Sequence, residues 1–106
     1  MLNFTHLQGN TFDASPFRIL KDGFPFNLSD AEIKMQLRRE SGGVVYLELK
    51  NGKGITITNA ENGEFQIDEQ IIDIEGGDYL YDIKIVKDTA RTWIKGTFKI
   101  ESKITE

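Results

Sequence analysis

Apolar and polar residues alternate with a period of two over most of this chain, and turn residues interrupt the alternation about every 10 positions. In GDYLYDIKIV (77–86), Tyr79, Tyr81, Ile83 and Ile85 fall on one side, and Leu80, Asp82, Lys84 and Val86 on the other. A helix would scatter the first four around its axis. A pleated strand gathers them on one face, ready for burial. The same sorting sets Val45, Leu47 and Leu49 against Val44, Tyr46 and Glu48 in GVVYLELK, and it turns Ile55, Ile57, Phe65 and Ile67 inward in ITIT and EFQI. Near the C-terminus, Ile94, Phe98 and Ile100 alternate with Trp93, Lys95, Thr97 and Lys99. SGG, NGKG, NAENG and KDTAR supply the turns between these segments, and FTHLQG, TFDA and FRIL are short extended pieces ahead of a DGFP turn.

One segment argues with itself. In SDAEIKMQLRRE (29–40), Ser29 followed by Glu32 is a capping-box pattern that announces a helix. On a helix Met35 would point away from Ile33 and Leu37, whereas a strand aligns all three, so periodicity predicts a strand. Composition agrees: thirteen Ile, eight Thr and eleven aromatic residues suit a pleated surface, and there are only four Ala. After Ile67 the alternation lapses in DEQIIDIEGG, which reads as a crossover connection with room for one helical turn. The expectation is an all-β fold: an immunoglobulin-like β-sandwich of about seven to eight antiparallel strands, forming a single domain over residues 1–106.

Glu75, Gly77 and Tyr79 have the acid-x-Gly-x-Tyr spacing of a tyrosine corner, in which a buried tyrosine hydroxyl bonds back to upstream backbone. Tyr81 then stands where immunoglobulin domains carry their second core cysteine. Chemistry is harder to find. Without cysteine there is no disulfide, thiolate nucleophile or thiolate metal site, and His6 is the sole histidine. No G-x-S-x-G motif or phosphate loop occurs, so no enzyme, cofactor or catalytic residue is expected. Asp73, Glu75 and Asp78 crowd one loop but lack calcium-loop spacing, and they read as a solvated acidic turn, as does Asp22 with Gly23. The formal charge of −4 and the absence of a basic stripe argue against nucleic acid. The N-terminus has no secretion-signal pattern and no apolar run reaches membrane-spanning length, so cytoplasmic synthesis and no membrane contact are expected.

The aromatic residues are more informative. Strand parity sends Trp93 and Tyr46 outward, with Lys95 beside Trp93, and Phe24 and Phe26 flank Pro25 at a loop tip. These five are the candidate protein-interface residues, with the alternative that Trp93 caps a sandwich edge and the two phenylalanines plug an open end.

Read together, DGFPFNLSDAEIKMQLRRE, GITITNAENGEFQI and GGDYLYDIKI resemble the small immunoglobulin-like domains encoded by tailed phages and prophages, including the N-terminal domain of baseplate upper proteins. The shared pattern is a DG-x-P turn, an L-S/T-x-A-x-I-x-M-Q-x-R strand, a G-x-I-T-I segment and a G-x-Y-x-Y-D strand, over about residues 9–105. The resemblance implies a structural protein of the tail or baseplate that docks to other virion proteins, with self-association as a further mode. It carries over no catalytic or ligand residue. Baseplate upper proteins continue into a long region that attaches receptor-binding proteins, and this chain stops at Glu106, so docking is the expectation and receptor attachment is not. The alternative is a module that binds carbohydrate or the host surface, with Trp93 or Tyr46 stacked on a sugar ring.

Overall fold

The computed structural model describes residues 3–102. Twelve strands follow in chain order: β1 (Phe4–Leu7), β2 (Thr11–Phe12), β3 (Ser15–Arg18), β4 (Leu20–Lys21), β5 (Phe24–Pro25), β6 (Glu32–Arg38), β7 (Val45–Asn51), β8 (Gly54–Asn59), β9 (Glu64–Ile67), β10 (Gln70–Ile71), β11 (Gly77–Lys87) and β12 (Thr89–Glu101). Among the described residues there is no helix, and the fold is all-β. Eight strands form one mixed sheet in the order β1-β12-β11-β6-β7-β8-β9-β3, while β10 pairs with β2 and β4 with β5.

Residues 29–40 resolve in favour of the strand. Asp30 adopts φ 61°, which interrupts any helix starting at Ser29, and Ile33, Met35 and Leu37 of β6 are completely buried. Facing them across the ladders are Ile83 and Ile85 of β11 and Leu47 and Leu49 of β7. Phe12, Ile55, Phe65, Ile67, Tyr79, Tyr81, Phe98 and Ile100 complete the strand contribution to the core. Leu28, Ala31, Ile19 and Ile72 plug it from the connections.

The sheet curls until its two edges meet. Phe4 of the first edge strand packs edge-on to Phe17 of the last, ring centroids 6.5 Å apart, and Phe4 also stacks on Phe98 at 5.1 Å. Pro16 lies on β3, an edge, where its missing N–H costs no ladder bond. The DGFP turn forms the β4–β5 hairpin, with Asp22 and Gly23 both at positive φ as a two-residue turn of matching twist requires.

Two expectations are corrected. The pairing is not purely antiparallel, because β1 runs parallel to β12 and β7 runs parallel to β8 over two residue pairs. At the second place Gly52 and Gly54, at φ 89° and 91°, curl the chain into a small loop from which β8 emerges in the direction of β7. Residues 68–77 hold no helical turn. Gln70 and Ile71 pair with Phe12 and Thr11 instead, which buries Ile72 and leaves Ile71 exposed.

Candidate functional site

β11 carries a group of aromatic and cationic side chains at each end, roughly 25 Å apart at the rise of an extended strand. At its start, the Tyr79 hydroxyl donates to the carbonyl of Glu75 at 2.5 Å and accepts from Arg39 Nη2 at 3.3 Å. The Arg39 guanidinium lies over both the Tyr79 and Tyr46 rings, at 5.3 and 5.1 Å, and Nη2 is 3.5 Å from a Glu75 carboxylate oxygen. Hydrogen bonding to Tyr79, helped by the field of Glu75, raises the Arg39 pKa above its ordinary value. Nothing in the sequence singled out Arg39. Its signal is topological, because β6 must first be placed beside β11. Tyr81, next inward, has its phenol pKa pushed up by burial. Gly77 opens the strand beside this group.

Tyr79→Phe keeps the ring and removes the hydroxyl, leaving the Glu75 carbonyl without its donor and Arg39 with only the Gly76 carbonyl and the Glu75 carboxylate as acceptors. The expected loss is about 1–3 kcal/mol, read as a lower midpoint in urea with an unchanged slope.

The other end of β11 meets the β4–β5 hairpin. Phe26 and Trp93 rings lie 4.9 Å apart at 44°, beside a small cavity of about 200 Å³ bordered by Lys21, Lys87, Asp88 and Arg91. Lys87 is fixed there by donating from Nζ to the Asn27 carbonyl at 2.7 Å, with its ammonium 5.9 Å from the Phe26 ring centroid. Phe24 projects from the hairpin tip, paired with Lys21, and is 74% exposed, and Leu20, paired with Pro25, is 49% exposed.

Trp93 is not an outward residue. It occupies a β-bulge: Ile83 pairs with Ile94 and Lys84 with Thr92, so Trp93 is the extra residue between the two pairs. A bulge breaks strict alternation, and here both Trp93 and Ile94 pack half-buried against the core. The same device acts on Tyr46, which lies between the pairs Leu37↔Leu47 and Arg38↔Val45. Its ring turns edge-on to the buried Tyr79 at 5.5 Å, although 43% of the residue remains exposed. Phe26 is half-buried rather than displayed. Of the aromatic candidates Phe24 alone stands largely in solvent, and Lys95 is exposed opposite Asp82.

A shallow groove of about 470 Å³ runs over the outer faces of β12, β11 and β6, walled by the 40–42 turn. Arg38 bridges it, 3.5 Å from Asp82 and hydrogen-bonded to Gln36, which donates in turn to Glu48 at 2.6 Å. That bond, with Lys34, Lys50 and Lys53 nearby, lowers the Glu48 pKa. His6 donates from Nε2 to the Asn10 carbonyl at 2.8 Å and packs on Phe12, both structural contacts. Among the described residues no three His, Asp or Glu side chains converge as a metal ion would need. No family model, curated protein or solved structure matches the chain.

Proposed function

We propose that this chain is a non-enzymatic assembly module with an immunoglobulin-like sandwich, used in a phage or prophage particle to dock onto other tail or baseplate proteins. The sandwich reading is supported by the place where the sheet thins. Between β7 and β8 only two residue pairs connect a five-strand group from a three-strand group, and the core lies between their inner faces. The Tyr79–Glu75 bond is the corner such domains place at this strand. The virion role is supported by the sequence resemblance. The observation that carries docking is the hairpin tip, where Phe24 and Leu20 hold apolar surface in water and Phe24 is paired with Lys21, an arrangement no packing need explains.

The test uses purified tail and baseplate proteins and a glycan array in parallel. Capture of a virion protein with silence on the array is the expected result. Phe24→Ala should change stability by under about 0.5 kcal/mol and weaken that capture by roughly 2 kcal/mol. Trp93→Ala should behave in the opposite way, lowering stability by about 2–3 kcal/mol, because its half-buried ring supports Phe26 and the core edge. Glycan binding lost in Trp93→Ala at unchanged stability would replace docking by the carbohydrate-binding alternative.

A further inference from the structure

The outer face of the sheet carries a row of like charges. Lys84 of β11 is directly opposite Lys34 of β6, and Lys34 is directly opposite Lys50 of β7. Directly opposed like charges destabilise a sheet, and here they are imposed by the register that aligns Ile83, Met35 and Leu49 on the buried face. The row is poorly neutralised. Lys34 reaches Glu32 at 3.8 Å, but among the described residues neither Lys50 nor Lys84 forms an ion pair. In the next row the Glu48 pKa is lowered first by its bond from Gln36 and further by Lys34 and Lys50. Val86 is exposed beside Lys84 on the same face.

The complement lies elsewhere on the same chain. Residues 61–78 hold seven carboxylates and no lysine or arginine. At their centre Glu69, Ile71 and Asp73 are exposed while Ile72 is buried, so an extended strap presents an acid, an apolar residue and an acid in sequence. Ile71 is 68% exposed, and neither Glu69 nor Asp73 forms an ion pair among the described residues. The two acids are four residues apart, roughly 13 Å along an extended backbone, and three lysines on adjacent strands span roughly 10 Å. A strap laid across the strands places an acid near each outer lysine and Ile71 over the aliphatic stem of Lys34 and the side chain of Val86.

We propose that the lysine row of β11, β6 and β7 receives the Glu69–Asp73 strap of a second copy of this chain. Made once per pair of copies the contact is head-to-tail and builds a ring or an open filament, and made reciprocally it closes a two-fold dimer. Charge complementarity selects the second copy as the occupant, and the contact uses neither Phe24 nor Leu20 of the hairpin tip.

Sedimentation velocity on the full chain tests this, from micromolar to millimolar protein, at about 20 mM and about 0.5 M salt. The chain should associate at low salt, with affinity about tenfold or more weaker at high salt. Lys34→Glu with Lys84→Glu reverses the row, and Glu69→Lys with Asp73→Lys reverses the strap. Each variant alone should sediment as a monomer, and an equimolar mixture of the two should recover association. Ile71→Ser, at an exposed position, should weaken association without altering the circular dichroism or the melting temperature, and it serves as the test should a charge reversal prevent folding. A wild-type chain that stays monomeric at low salt, reversed variants that associate as it does, or a mixture that stays monomeric would each overturn the proposal.

Discussion

Replacing Gly63 by alanine should cost about 3–4 kcal/mol and lower the melting temperature by roughly 15 °C. Gly63 ends the β8–β9 turn at φ 70°, a left-handed conformation that an L side chain resists. A methyl group there would lie 2.6 Å from the carbonyl oxygen of Ile19 and 2.7 Å from that of Phe26. Neither oxygen can rotate away, because the same stretch is bonded to the turn: Ile19 N donates to the Gly63 carbonyl at 2.8 Å and Leu28 N to the Ala60 carbonyl at 2.8 Å. Gly52→Ala is the control. It has φ 89° and open space around the added methyl, so its loss reports the backbone conformation alone, about 1 kcal/mol. Equal losses at the two sites would show that close approach plays no part at Gly63.

The second large effect is expected at Phe98. Its ring is buried, stacks on Phe4 at 5.1 Å and lies 5.7 Å from Phe12, and its strand position pairs with Tyr79. Phe98→Ala should remove about 4 kcal/mol by combining lost transfer energy with a cavity its rigid aromatic neighbours cannot fill. Phe98→Leu should recover most of it. Because Phe98 anchors Phe4, the amides of β1 should lose hydrogen-exchange protection before those of β6. Uniform loss across both strands would mean that β1 has no local stability of its own.

How much of this was legible in the residues depended on whether the period stayed intact. In β6, β9 and β11 it does, and Ile33, Met35, Phe65, Ile67, Tyr79 and Ile83 are buried as alternation requires. The hydroxyl of Tyr79 was equally readable, since the spacing from Glu75 is local. Alternation failed at Trp93 and Tyr46 for one shared reason. Each is the extra residue of a bulge, a bulge has no composition cue in a run of β-formers, and one inserted residue reverses the parity of everything beyond it. Pairing partners were illegible as well. The parallel β1–β12 ladder, the Arg39 contacts and the aligned lysines all depend on which strands become neighbours, and a single sequence carries no record of that.

The β1–β12 ladder also sets a time order. Asn3 accepts from the Thr97 amide across 94 residues of sequence, and Phe4 pairs with Phe98. Pairing of such separation comes late in folding, because loop closure must be met before the contact returns any energy. On a ribosome, β1 emerges well before β12 and waits for almost the entire described chain before its ladder partner exists. Until then Phe4 has neither Phe98 nor Tyr81 to cover it. Slow translation therefore prolongs exposure of Phe4, and a chaperone that holds extended apolar segments would have its longest opportunity there.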